Sequence, residues 1–243
     1  MNCKLKHFTE KTTRKCLKNQ RVFFLGDSRA RQLEIAFYSR LTSNLSFIDN
    51  KDPKDTLLNS EEINFVYPWM NKFFHTAHRA LESELGTEES KWTWYVLGHV
   101  NLHSIRNYNS SKVYQSKFLD FFKSKTFPLL KNHAMENQNS KIIWLGEEIA
   151  LDMRPANNSW RKAFQVINDE IRNLVNSLNL VNFVVMTTNT KTITSGGNWL
   201  ASDRVHKEVK KKVSMLSLPG YLDTTYILNF LCPNVESMYC CIS

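Results

Sequence analysis

Arg21-Val-Phe-Phe-Leu-Gly-Asp-Ser28-Arg-Ala-Arg-Gln-Leu33 is the stretch that decides the fold. Four apolar β-formers run into Gly26, and beyond Ser28 the apolar residues Leu33, Ala36, Phe37 and Leu41 recur at helical spacing. This pattern predicts a strand, a sharp turn at Gly26-Asp27-Ser28, and a helix over 28–41 with Ser28 at its start. A helix N-terminus presents unpaired backbone N–H groups and the positive end of the helix dipole. A serine there can carry a nucleophilic oxygen while the N–H groups hold the charge that develops on an attacked carbonyl. Gly26 allows the tight turn and a close approach to the backbone. Ser28 is also an ordinary helix cap, and Asp27 reads as a turn-fixing side chain.

A serine hydroxyl needs a base, and the base needs an orienting acid. Ser202-Asp203-Arg204-Val205-His206 supplies both from one turn of chain. Ser28 follows the first strong strand and Asp203 with His206 follow the last. The expected catalytic set is therefore Ser28 as nucleophile, His206 as base and Asp203 as its orienter.

Outward from these points the chain alternates strand and helix. Strands are expected at 21–25, 63–67, 92–97, 141–145 and 181–186, and helices at 28–41, 70–85, 111–130 (bent near Pro128), 159–178 and about 206–216. Residues 42–60 and 131–140 read as loops, and 86–91 as a charged turn. The run Trp92-Thr-Trp-Tyr-Val-Leu97 is nearly all apolar, which fits a strand buried on both faces of a parallel sheet. The expectation is one α/β domain over 1–243, with three layers and a central, mostly parallel, five-stranded sheet. Residues 1–20 read as a basic lead-in, and 217–243 as a tail whose aliphatic stretch Tyr226–Leu231 packs on the body. Functional residues gather at the carboxyl ends of such strands. Ser28, Gly98 and Glu147 follow strand ends, and His206 lies in the last such loop.

The 243 residues carry a formal charge of +9, 42% hydrophobic and 12% aromatic residues. That composition is globular, and the charge favours an anionic partner. The basic residues are scattered and no nucleic-acid motif accompanies them, which argues against nucleic-acid binding. No apolar run approaches the roughly 20 residues of a membrane helix, and no signal peptide is visible. The five cysteines are Cys3, Cys16, Cys232, Cys240 and Cys241. None has metal-site spacing with histidines, so no metal is expected. Cys3 and Cys16 flank a basic segment and are disulfide candidates in an oxidising compartment, while the count also fits a reduced cytosol. Sequons stand at Asn44, Asn109 and Asn157 and mildly favour a secretory lumen.

Gly26-Asp27-Ser28 followed by Asp203-x-x-His206 resembles the SGNH-hydrolase superfamily, in its PC-esterase branch. The longer string Phe24-Leu-Gly-Asp-Ser-Arg-Ala-Arg-Gln-Leu33 looks most like the luminal catalytic domains of animal sialate 9-O-acetyltransferases. The cysteine pair Cys3 and Cys16, the Gly98 turn with the sequon at Asn109, and Cys232 after a terminal apolar segment match that pattern. The resemblance implies a serine acyl-enzyme in the Golgi lumen. Acetyl would move from acetyl-CoA, as co-substrate with no bound cofactor, to CMP-sialic acid or a related sialylated glycan. Both donor and acceptor are anionic. The chain departs from the family in carrying no multi-helix membrane portion, so it is expected to be soluble or a piece of a longer anchored protein. The usual oxyanion-hole glycine and asparagine have no clear counterpart. The Ser28 backbone N–H remains, with the Gly98 N–H and the Asn101 side chain as candidates.

Other residues carry weaker expectations. Arg29 and Arg31 can bind phosphate or carboxylate, or form ion pairs on a solvated helix face. His99, His103, Glu147 and Glu148 follow strand ends and can line a cleft; His99 and Glu147 are the substrate-binding candidates. His75-x-x-His78 lacks a third ligand and reads as surface. Three functions follow: an O-acetyltransferase, an O-acetyl esterase with the same triad, or a non-catalytic glycan-binding module.

Overall fold

In the computed structural model, residues 10–26, 30, 33–34, 37–38, 41, 56–60, 63–67, 74–98, 108–146, 158–186, 227–228 and 230–232 are described. The chain is α/β with a six-stranded sheet of order β2-β3-β1-β4-β5-β6. The strands are β1 (Arg21–Leu25), β2 (Thr56–Ser60), β3 (Ile63–Tyr67), β4 (Thr93–Gly98), β5 (Lys141–Leu145) and β6 (Phe183–Met186). Five of them are parallel, through the β3–β1, β1–β4, β4–β5 and β5–β6 pairs. Helices are α1 (Glu10–Leu17), α2 (Phe74–Leu85), α3 (Ser111–Phe121), α4 (Phe127–Glu136) and α5 (Asn158–Asn176). A 3₁₀ turn, Glu88–Trp92, leads into β4.

Every residue of β4 is buried, as its continuous apolar run predicts. Alternation along the strands divides the core between two faces. Phe23, Leu25, Tyr95, Leu97, Ile142, Trp144 and Phe183 pack against α2 to α5. Val22, Phe24, Trp94, Val96, Ile143 and Leu145 pack against Leu17 of α1, helical residues within 30–41, and Ile227, Leu228 and Leu231. Of the stripe expected after Gly26, Leu33, Phe37 and Leu41 are buried, joined by Ala30, while Ala36 lies outside the described residues. Ile227, Leu228, Leu231 and Cys232 bring their part of the chain against this face of the sheet. Lys141 Nζ holds the Leu231 carbonyl and lies 4.8 Å from the centre of the Trp94 ring. Burial lowers the Lys141 pKa.

Several expectations need correction. Among the described residues the sheet has six strands, not five, because Thr56–Ser60 pairs antiparallel with β3. The Asp-Pro-Lys-Asp run beside it made the segment read as loop. Residues 10–17 form a helix rather than an irregular lead-in. Its buried positions are Thr13 and Leu17, and a threonine leaves no apolar stripe to read. The helix at 111–130 continues to Glu136, into residues read as loop.

That long helix is interrupted at a π turn, Phe122–Thr126, where the Phe127 N–H reaches back to the Phe122 carbonyl. Pro128 explains the site of the defect. It has no N–H to give and would clash with the carbonyl four residues earlier, so the helix widens just before it. The cysteine pairing is also revised. Cys16 is bonded to Cys232, with Cα atoms 5.8 Å apart at a sequence separation of 216. Cys3 lies outside the described residues.

Candidate active-site edge

The five parallel strands run β3-β1-β4-β5-β6. The chain leaves β1 toward β3, then crosses back to β4 and continues outward. The strand order therefore reverses between β1 and β4, and ligands of open α/β sheets bind at the carboxyl ends beside such a switch point. Each of the three central strands ends in Leu-Gly: Leu25-Gly26, Leu97-Gly98 and Leu145-Gly146. The first two glycines are fixed by space. A Cβ on Gly26 would lie 2.1 Å from the Gly98 carbonyl oxygen and 2.7 Å from the Ala30 Cβ. A Cβ on Gly98 would lie 2.2 Å from the Leu145 carbonyl oxygen, and Gly98 also has φ +136°. Three strand ends thus meet backbone against backbone at the switch point. Gly146 is held there by its N–H, which donates to the Met186 carbonyl at 2.8 Å.

Of the candidate site residues, Gly98 is described and stands beside Gly26 on this edge. Ser28, Asp203 and His206 lie outside the described residues. So do Asp27, Arg29, Arg31, His99, Asn101, His103, Glu147, Glu148, Asn44 and Asn157. Asn109 is exposed just before α3. The helix is capped by Ser110, whose hydroxyl accepts from the Val113 N–H.

Sequence reasoning missed a small cavity beneath the same edge. It encloses about 20 Å³, room for one water-sized group. Leu25, Gly98 and Trp144 form its sheet wall, and Ala77, His78 and Leu81 of α2 face them. Phe118, Phe121, Phe122 and Thr126, from α3 and the π turn, close the third side. Trp144 is 4% exposed, and its indole N–H has no hydrogen-bond partner among the described residues. His78 Nδ1 lies 3.3 Å from Thr126 Oγ1, and its ring meets Phe121 edge-on at 5.2 Å. The expected surface His75-x-x-His78 pair is therefore split. His75 is exposed, while His78 is half-buried in the cavity wall. Burial lowers the pKa of both rings. Nothing in an apolar strand signals a tryptophan without a partner, so the cavity leaves no local trace in the residues.

A second polar cluster lies at the opposite, amino end of the sheet. Arg21 forms a two-pronged ion pair with Glu84 and donates to Thr93 Oγ1 at 3.1 Å. Nearby, His133 Nε2 is 3.1 Å from Ser140 Oγ. This serine–histidine contact is oriented wrongly for catalysis. Ser140 donates its proton to the Thr93 carbonyl at 2.9 Å, so His133 must donate to Ser140 rather than deprotonate it. Asn137 Nδ2, 3.3 Å from His133 Nδ1, fits that tautomer. Ser140 is fully buried. The cluster closes the core; it is not a reaction centre.

Among the described residues, no group of three or more His, Cys, Asp or Glu side chains is placed to hold a metal ion. No helix among them is long and apolar enough to cross a membrane. No protein-family model matches the chain, and no curated protein matches it.

Proposed function

We propose that this chain is a serine-dependent O-acetyltransferase, a three-layer SGNH-hydrolase-like domain of the PC-esterase type. The observation that carries the reading is the Gly26–Gly98 contact at the β1/β4 switch point. Asp27-Ser28 follows directly in the chain, so the sequence motif continues from the edge where α/β sheets bind ligands. In the reaction, His206 takes the Ser28 proton as Ser28 Oγ attacks the thioester carbonyl of acetyl-CoA. The C–S bond breaks, and the thiolate of coenzyme A leaves with that proton. An acceptor hydroxyl of a sialic acid, as in CMP-sialic acid, then gives its proton to His206 and attacks the acetyl-serine. The sugar ester forms, and the proton returns to Ser28 Oγ. Asp203 holds the His206 tautomer and steadies the imidazolium. The Ser28 and Gly98 N–H groups and the Asn101 side chain are the proposed oxyanion donors. Arg29, Arg31, His99 and Glu147 are the proposed acceptor contacts. The net charge of +9 suits two anionic substrates. The Cys16–Cys232 disulfide suits a secretory lumen, the Golgi in this reading.

The test is intact-mass spectrometry of wild type and Ser28→Ala after incubation with acetyl-CoA. An acetyl adduct on wild type alone, discharged faster by CMP-sialic acid than by water, is the expected result. An adduct that water removes equally fast makes the protein an esterase. Absence of any adduct on folded protein overturns the reading.

A further inference from the structure

His133 sits where a neutral ring uses every available proton and an added one finds no acceptor. Its side chain is buried near the end of α4. Ser140 Oγ gives its proton to the Thr93 carbonyl, so it accepts the Nε2–H. Nδ1 is then the lone-pair nitrogen, and Asn137 Nδ2 lies 3.3 Å from it. The same amide nitrogen donates to the His133 carbonyl at 3.0 Å, so both of its hydrogens are placed. Among the described residues Nδ1 has no other hydrogen-bond neighbour. A proton on Nδ1 would face the amide NH₂, donor against donor. Turning the amide over would only set Oδ1 against the His133 carbonyl.

Asn137 also closes α4. Its N–H donates to the His133 carbonyl at 2.9 Å, and its carbonyl accepts from the Ser140 N–H at 3.0 Å. Asn182 Nδ2, next to β6, lies 3.3 Å from that same carbonyl. Exposed Gln138 and Asn139 complete the turn. We propose that His133 and Asn137 form a proton-operated latch on the turn from α4 to β5: the neutral ring holds Asn137, and protonation releases it, opening residues 137–140 while the sheet stays folded. The latch is independent of the acyltransferase reading. The groups around the ring come from every element packed on it. Tyr95 of β4 meets it edge-on at 5.4 Å. Glu136 stands on α4 itself, the Ser90 carbonyl belongs to the 3₁₀ turn, and Glu84 of α2 is paired with Arg21 of β1. Burial outweighs the pull of Glu136, the Ser90 carbonyl and Glu84, and it lowers the pKa of the closed-state ring.

The test is amide hydrogen exchange of the ¹⁵N-labelled protein between pH 7.5 and pH 5, corrected for intrinsic exchange chemistry, with and without low urea. In the open turn the ring titrates near its ordinary value, so one proton favours opening by up to about thirtyfold over that interval. The Asn137 and Ser140 amides should lose protection by that order, without dependence on urea. At pH 5 they should exchange faster than Val96, which is buried within β4. His133→Gln should remove the acid response. Asn137→Asp sets a carboxylate, an acceptor for the protonated ring, opposite Nδ1. Its turn should gain protection on acidification, the opposite sign to wild type. Protection at Asn137 and Ser140 that ignores pH, or that falls only in step with Val96 and with urea, overturns the latch. So does a folded Asn137→Asp variant that responds to acid with the wild-type sign.

Discussion

Gly26 and Gly98 touch through backbone atoms at the carboxyl edge, with the Gly98 carbonyl oxygen where a Gly26 side chain would begin. The obstacle is a carbonyl within the sheet, which cannot swing away as a flexible side chain can. Gly26→Ala should therefore cost about 3 kcal/mol or more, the upper range for forced overpacking. Gly98→Ala should cost at least as much, because the Leu145 carbonyl stands in the way and φ +136° strains any residue with a Cβ. Urea unfolding of both variants checks this. Gly86→Ala is the control. Its added Cβ would find its nearest neighbour at 3.5 Å, so its midpoint should move little.

The Cys16–Cys232 bond joins α1 to the returning tail across 216 residues. In the chain-entropy account, a loop of that length gives up to about 5 kcal/mol by restricting the unfolded chain. Reduction under native conditions should lower the unfolding temperature by several degrees, and Cys232→Ser should match the reduced wild type. Lys141 holds the Leu231 carbonyl through a contact that does not involve the disulfide. The tail should therefore stay docked at low temperature, which limited proteolysis would detect as an unchanged cleavage pattern.

What the sequence made legible was the periodic part. The runs ending at Leu25, Leu97 and Leu145 announced buried parallel strands, and the helix expected over 159–178 is α5. Both signals are local and apolar. β2 was hidden because it is short, polar at its end and next to turn residues. α1 was hidden because Thr13 stands where an apolar residue would mark the stripe. The Cys16 partner was hidden because pairing over 216 residues leaves no local trace. At the candidate site, the glycines marked the strand ends. The cavity did not declare itself, since it arises where Trp144, His78 and the π turn meet from three distant segments.

Asn182 shows how such distant pieces are joined. Its side-chain amide lies 3.0 Å from the Ala134 carbonyl, 3.3 Å from that of Asn137 and 3.1 Å from that of Ser140. These acceptors belong to the end of α4 and the turn into β5, while Asn182 immediately precedes β6. Asn182→Ala removes the donor and leaves buried acceptors behind, at about 1–3 kcal/mol. Asn182→Asp should be worse, because a carboxylate would face three carbonyl oxygens. Thermal unfolding should rank wild type above Ala and Ala above Asp; an Asp variant as stable as wild type would refute the role given to the amide.

His133 gives the stability a pH dependence with a definite sign. Burial is the main cause that lowers its pKa below the ordinary histidine value. Its neutral ring uses Nε2–H toward Ser140 and Nδ1 toward Asn137. Below a pH of about 6.5 the unfolded chain takes up a proton that the folded ring resists, so unfolding gains ground as pH falls. The loss continues until the pH passes the lowered folded-state pKa, and then levels for this group. His75 and His78 act in the same direction, since burial leads the causes that lower both. The unfolding temperature should thus fall between pH 7.5 and pH 5. His133→Gln, which supplies an amide donor and an acceptor without titrating, should flatten part of that slope. Adding His78→Gln should flatten it further. A slope unchanged in the double variant would show that carboxylates, not these rings, set the acid limit.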